Sequence, residues 1–204
     1  LTTNIWKKIA THYANEPIVI GYDLLNEPIA HYFDSSHFNP LLEPFYKQIT
    51  AAIRTVDKNH LVFLGGAQWN SNFRPFGKPF DNKLVYTFHK YWTPPTLDVI
   101  KDYIDFSNRF NVPLYCGETG ENNDEWVMAF RKLLDEQQIG WHFWPYKKMD
   151  NNSGIVQFAI PTGFNSIRNY ADSSRSGFDD IRRLRPKDPQ DVKRALNGFL
   201  ENCL

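Results

Sequence analysis

Apolar residues along the chain recur in two rhythms, helical stripes and short dense runs, and the two alternate from the first residues to nearly the last. Ile5, Trp6, Ile9, Ala10 and Tyr13 form a stripe that predicts a helix over Asn4 to Tyr13, ended by Asn15-Glu16-Pro17. The run from Pro17 to Asp23 is almost continuously apolar, the pattern of a parallel strand covered on both faces. It closes on Leu24-Leu25-Asn26-Glu27-Pro28, where Pro28 has no amide hydrogen to offer a ladder.

The alternation continues. After a polar and aromatic loop over His31 to Asn39, a second stripe predicts a helix over Pro40 to Val56, and His60 to Gly66 reads as the second strand. Gln68, Trp69 and Asn70 sit at that strand's mouth, followed by an irregular connection through Lys83. Leu84 to Tyr91 is the third strand, and its period of two puts Val85, Thr87, His89 and Tyr91 on one face. A helix over Thr96 to Phe110, a strand over Val112 to Glu118 and a helix over Asp124 to Gln137, with Asp124 as the expected N-cap, come next. Gly140 to Trp144 is the fifth strand. Beyond Lys147-Lys148-Met149-Asp150 the pattern weakens, with helices expected over Phe164 to Tyr170 and Pro189 to Leu200 around a poorly hydrophobic stretch, Asp172 to Asp180.

Strands alternating with helices imply right-handed crossovers and a parallel sheet covered by helices. Five strands are too few for a closed barrel of eight. An open doubly wound sheet also fits the count, but it would normally carry a Gly-rich phosphate turn after an early strand, and the sequence has none. The 204 residues fit one domain, residues 1–204.

Composition narrows the partner. Lys plus Arg and Asp plus Glu stand at 23 each, which gives no charge asymmetry to draw nucleic acid or an anionic membrane. An uncharged partner is expected. Aromatic residues make up 16 % of the chain and recur at strand ends, where they either pack the core or stack on the apolar faces of sugars. Cys116 and Cys203 are too few for a disulfide framework and read as reduced thiols.

Glu27 and Glu118 each end a predicted strand on the side where the loops of a parallel barrel gather. A pair of facing carboxyls is what acid-catalysed acetal cleavage needs, one to protonate the leaving oxygen and one to act as nucleophile or base. Two glutamates in surface ion pairs would look the same from spacing alone. No cluster in the sequence has metal-ligand spacing, so neither a metal nor a cofactor is expected.

Taken together and in order, Leu25-Asn26-Glu27-Pro28, His89-Lys90-Tyr91, Gly117-Glu118-Thr119-Gly120 and Trp141-His142-Phe143-Trp144 resemble the second half of a glycoside hydrolase family 5 catalytic barrel, a cellulase-like group of retaining glycosidases. The resemblance covers essentially the whole chain and implies a partial (β/α)8 TIM barrel, about strands 4 to 8 with their helices. It assigns Glu27 as general acid and base, Asn26 to the sugar 2-hydroxyl, and Glu118 as nucleophile with Tyr91 hydrogen-bonded to it. His89 is assigned to the sugar or the acid/base residue, and Trp144 to a platform under the sugar. Trp69 is expected to stack on a more distant sugar or to serve the rim; Trp92, Trp141 and Lys147 carry weaker expectations. His142 is expected to fill the barrel interior, hydrogen-bonded, and Asp23 to be a buried partner for a cation outside this chain.

The implied function is retaining hydrolysis of β-1,4-linked glucan by double displacement, with β-glucan or a related polysaccharide as substrate and an extracellular location. The resemblance begins after the third barrel strand, so the first three strands are expected to be absent from this chain. That leaves strand edges exposed at the Glu27 and Trp144 strands. The chain is therefore expected either to work as a homo-oligomer or with a complementary N-terminal fragment, or to be a truncated half-barrel that oligomerises as a carbohydrate-binding or inactive module.

Overall fold

The computed structural model of the protein describes residues 1–149, 154–173 and 176–202. Asp150 and Cys203 lie outside the described residues. The chain divides into two compact units, Leu1–Trp144 and Pro145–Leu204. The first holds α1 (Thr2–Tyr13), β1 (Gly21–Asp23), α2 (Ser35–Arg54), β2 (Leu61–Gly65), β3 (Leu84–Lys90), α3 (Lys101–Phe110), β4 (Leu114–Gly120), α4 (Asp124–Glu136) and β5 (Gly140–Trp144). Its strands form one sheet in the order β1-β2-β3-β4-β5, parallel at every pairing, and curl with their helices into a partial (β/α)8 barrel.

Strand alternation sorts the side chains. Tyr22, Val62, Leu64, Tyr86, Phe88 and Cys116 face the helices and pack with Tyr46, Ile49, Ile53, Ile100, Phe130 and Leu134 in one apolar core. Burying each large side chain contributes about 1.5–3 kcal/mol. Where the core takes in polar atoms it supplies partners, as when the Tyr46 hydroxyl donates to the Gly65 carbonyl at 2.9 Å. Cys116 is a free, buried thiol, pushed up from its ordinary range chiefly by burial. The intervening residues, Phe63, Thr87, His89 and Tyr115 among them, line the concave side, where the Phe63 and Tyr115 rings meet edge to face at 5.6 Å.

One irregularity decides where the site forms. Phe88 pairs with Cys116, but His89 pairs with Glu118, so Gly117 is an extra residue in β4. Strict alternation would turn Glu118 to the helix side with Cys116. The bulge returns it to the concave side beside His89. A side chain at Gly117 would run into the Thr87 hydroxyl and come within 3.2 Å of His89 Nε2, so glycine suits the bulge.

Several boundaries differ from the sequence pattern. Pro17 to Val19 stay off the ladder, which begins where the Ile20 carbonyl accepts from Leu61 N–H, and Ile18 and Ile20 are 87 % and 72 % exposed, because β1 is an edge strand and local bonds hold the preceding segment in a turn. Val19 N–H donates to the Glu16 carbonyl and Ile18 N–H to the Glu16 carboxylate. α2 begins at Ser35, five residues before Pro40, because Asp34 caps it by accepting from the amides of Ser36 and His37. The helix expected from Thr96 is split into a 3₁₀ turn over Leu97–Val99 and α3. β4 runs to Gly120, two residues past Glu118. The N-cap of α4 is Asn123, not Asp124, its side chain accepting from Trp126 N–H.

The second unit carries two strands and a helix that the weak pattern hid. β6 (Lys147–Met149) and β7 (Val156–Phe158) pair in parallel, and α5 (Phe164–Asp172), α6 (Phe178–Leu184) and α7 (Pro189–Asn202) follow. Its apolar contacts include Phe199 against Phe158 and Phe164, at 6.2 and 5.3 Å between ring centroids. Among the described residues no helix is long and apolar enough to cross a membrane.

A buried polar knot fixes the turn into β2. Asp57, 2 % exposed, accepts from the Tyr22 hydroxyl at 2.6 Å and from the amides of Asn59 and His60, and meets His60 Nδ1 at 2.5 Å. Arg54 braces the same turn, donating to the Asp57 and His60 carbonyls and, through two nitrogens, to Asp81. Burial alone would raise the Asp57 carboxyl, but these donors outweigh it and hold it down at about 2, against an ordinary 3.8. A carboxyl lowered on folding stabilises the fold above its unfolded value, and loses that contribution as pH falls toward the folded one. Asp57→Asn is therefore expected to cost about 2 kcal/mol at neutral pH. The gap from wild type should close between about pH 4 and pH 2 in denaturant titrations. A variant as stable as wild type at pH 7, or a gap that ignores pH, would contradict this.

Candidate active site

Five strand ends deliver side chains to one cleft of about 580 Å³. Glu27 follows β1, Trp69 follows β2, His89 lies in β3 with Tyr91 just past its end, Glu118 lies in β4 and Trp144 ends β5, and all six line the cleft together with His31, Trp92 and Glu121. This is the carboxyl end of a parallel sheet, where strand alternation stops and loops converge.

At the centre His89 touches both glutamates. Its Nδ1 lies 2.9 Å from Glu27 Oε1 and 3.5 Å from Glu118 Oε2. The Tyr91 hydroxyl donates to Glu118 Oε2 at 2.8 Å. Burial first, and then the Glu118 carboxylate, push that hydroxyl far above its ordinary range, so Tyr91 stays a donor. The ligating atoms of Glu27, His89 and Glu118 lie within 4.8 Å of one another, a spacing that also fits a metal ion. Sequence spacing could not show this triangle, because its corners come from three strands. The His89 side chain is 4 % exposed, Glu118 19 % and Glu27 33 %, so the pair opens to solvent on the Glu27 side.

The cleft is built with strained backbone. Among the described residues nine that are not glycine have positive φ, and five of them, Glu27, Gln68, Trp69, Trp92 and Glu121, line the cleft. Gln68, Trp69 and Asn70 follow one another at φ 48°, 57° and 57°, a left-handed turn that costs roughly 1–2 kcal/mol per residue. Hydrogen bonds fix it: the Gln68 and Asn39 amides exchange bonds of 2.8 and 3.3 Å, and the Asn72 amide donates to Gln68 Oε1 at 2.7 Å. The turn presents Trp69, 44 % exposed, edge to face with His31 at 4.8 Å. Trp92 is anchored by its indole N–H to the Glu121 carbonyl at 3.0 Å.

Other expected residues lie elsewhere. Asn26 is exposed beside Glu27 and is not part of the lining. His142 is exposed and makes no hydrogen bond among the described residues, so it does not fill an interior; β5 is an edge strand and its concave face is open. Trp141 packs against the core, its N–H donating to Asp135 at 3.1 Å, and Lys147 belongs to β6 in the second unit. Asp23 keeps contact with solvent rather than being enclosed, and among the described residues no lysine or arginine pairs with it. Crowding by the surrounding protein, with the Glu118 carboxylate adding to it, raises its carboxyl to about 6. His31, Glu121 and Asn70 carry no motif that marks them for the site. His31 stands in the polar and aromatic loop that follows β1, whereas nothing in the local pattern marks a left-handed turn made without glycine.

Comparison with known proteins agrees with this layout. The family described as Cellulase (glycosyl hydrolase family 5) matches residues 2–150. An endoglycoceramidase of Hydra vulgaris is 30 % identical over 84 % of this chain, and endoglucanase C of Acetivibrio thermocellus is 26 % identical over 72 %. The matched segments span 37 % and 59 % of those enzymes' own lengths. Among solved structures, endo-glycoceramidase II from Rhodococcus sp., in complex with a cellobiose-like isofagomine, superposes with a TM-score of 0.66 at 20 % identity, over 76 % of this chain and 41 % of that one. The family match covers most of the chain and includes every strand of the sheet that holds Glu27 and Glu118, and the chain belongs to glycosyl hydrolase family 5.

Proposed function

We propose that this chain carries the catalytic carboxyl pair of a retaining β-glycoside hydrolase, with β-1,4-linked glucan as substrate. The observation that carries the reading is the glutamate pair itself, two carboxylate oxygens within 4.8 Å bridged by one imidazole. Retaining enzymes hold their carboxyls about 5–5.5 Å apart, whereas inverting ones need roughly 6.5–9.5 Å to admit a water. The short spacing supports retention.

In this mechanism Glu118 attacks the anomeric carbon. Tyr91 and His89 both approach Oε2, which orients the carboxylate and leaves Oε1 for the new bond. As the glycosidic bond breaks, Glu27 gives its proton to the leaving oxygen; in the second step it takes a proton from water, which releases the sugar with its original anomeric configuration. Trp144, Trp69 and Trp92 offer exposed indole faces along the cleft, suited to the apolar faces of consecutive sugars. Asn26 keeps its assignment to the 2-hydroxyl by family resemblance. A closed barrel needs strands beyond the five in this sheet, which this reading assigns to a complementary fragment or a second copy. A polymeric substrate implies extracellular action.

A second reading, release of the sugar headgroup from a glycolipid, is favoured by the Hydra vulgaris relative and by a neighbouring apolar surface. Tyr32, Phe33 and Leu41 are 78 %, 48 % and 54 % exposed on the segment that follows Glu27.

Two outcomes test these readings. Glu27→Gln should slow hydrolysis of unactivated cello-oligosaccharides by about 10²–10⁴-fold. It should affect an aryl β-glucoside with a good leaving group far less, because that leaving group does not need the proton; equal losses on both would remove Glu27 from the acid role. The substrate is decided by comparing kcat/KM for cellotetraose with that for an alkyl β-cellobioside presented in micelles. The glucan reading predicts a clear preference for cellotetraose, and the reverse preference would replace it with the glycolipid one.

A further inference from the structure

His89 is shared by both glutamates, and its second nitrogen has a partner that family resemblance did not suggest. Asn70 Nδ2 lies 3.0 Å from His89 Nε2, and Asn70 is completely buried. The left-handed turn puts it there, tied by Asn70 N–H to the Gly66 carbonyl. Gly65 leaves the space it needs, since a side chain at that position would collide with the Asn70 amide.

The two ends of the imidazole have opposite partners. Nδ1 faces carboxylate oxygens, so it carries the proton. Nε2 faces an amide NH₂, which can only donate, so Nε2 keeps its lone pair. Turning the Asn70 amide over would set Oδ1 against Nε2, call for a second proton there, and make His89 an imidazolium. In the observed orientation the unpaired atom is Oδ1, and a buried carbonyl short of a partner is less rare than an orphaned N–H group.

We propose that Asn70 is a positioning residue that holds His89 neutral, with its single proton on Nδ1 shared between Glu27 and Glu118. The inference rests on the retaining-hydrolase reading for its consequence, though not for its geometry. The charged groups around His89 are Glu27, Glu118 and Asp23, all acidic. A cationic imidazole among them would favour ionisation of both catalytic glutamates. Glu27 would then lack the proton that the leaving oxygen must receive. A neutral His89 orients both carboxyl groups and leaves that proton in place.

Long-range proton–nitrogen correlation spectra of the isotope-labelled chain at neutral pH read the state of His89 directly. The expected pattern is a proton-bearing Nδ1 and an unprotonated Nε2. In Asn70→Asp, nearly the same in shape but accepting where the amide donated, both nitrogens should carry protons. Turnover of unactivated cello-oligosaccharide should fall about 10- to 100-fold in kcat with little change in KM, the range seen when the outer partner of an oriented histidine is lost. Activity on an activated aryl glycoside should be largely kept. A protonated Nε2 in the wild-type chain overturns the proposal, as does an Asn70→Asp spectrum identical to wild type. The wild-type spectrum needs neither a folded variant nor turnover, so a failure of the hydrolase reading stays distinguishable from a failure of this one.

Discussion

The pairing of His89 with Glu118 depends on one extra residue in β4, and most of the site depends on that pairing. Side chains on a strand alternate strictly, so without the bulge at Gly117 the carboxylate would enter the apolar core beside Cys116. An unpartnered buried carboxylate there would be strongly destabilising. With the bulge it stands where Tyr91 and His89 can reach it, and His89 in turn reaches Glu27, which comes from a strand two places away in the sheet. The catalytic geometry is thus set by backbone register before any side chain is adjusted.

Around that register the protein concentrates strain and buried polarity. The left-handed turn over Gln68, Trp69 and Asn70 serves two directions at once, presenting an indole to the cleft and an amide to the back of His89. Such a turn persists only where its surroundings over-determine it, and the exchanged amide bonds between Gln68 and Asn39 tie it to α2. Far from the cleft the same logic is used for stability: Asp57, Tyr22, His60 and Arg54 form a buried knot that sets the entry to β2.

The sheet was legible because dense apolar runs and helical stripes are set by burial, and burial acts on every residue of an element. All five strands and the helices between them occur in the order that periodicity predicts. Departures occur where a local bond outweighs pattern. Ile18 and Ile20 look like buried strand but lie on an open edge, and the Asp34 cap lengthens α2 backward into what reads as loop. In the second unit the short strands β6 and β7 and the helix α6 carry too few apolar residues to declare themselves. Glu27 and Glu118 were legible through motif order. Their common face depends on the Gly117 bulge, which alternation does not reveal, and Asn70 depends on a backbone conformation that its sequence does not advertise.

The central claim is that Glu118 becomes covalently bound to the sugar. Incubating the protein with a 2-deoxy-2-fluoro β-cellobioside bearing an activated leaving group, then digesting it and sequencing the labelled peptide by mass spectrometry, tests that claim most directly. The account predicts a single glycosyl adduct on Glu118. An adduct on Glu27, or continued hydrolysis of glycosides with no adduct at all, would contradict it.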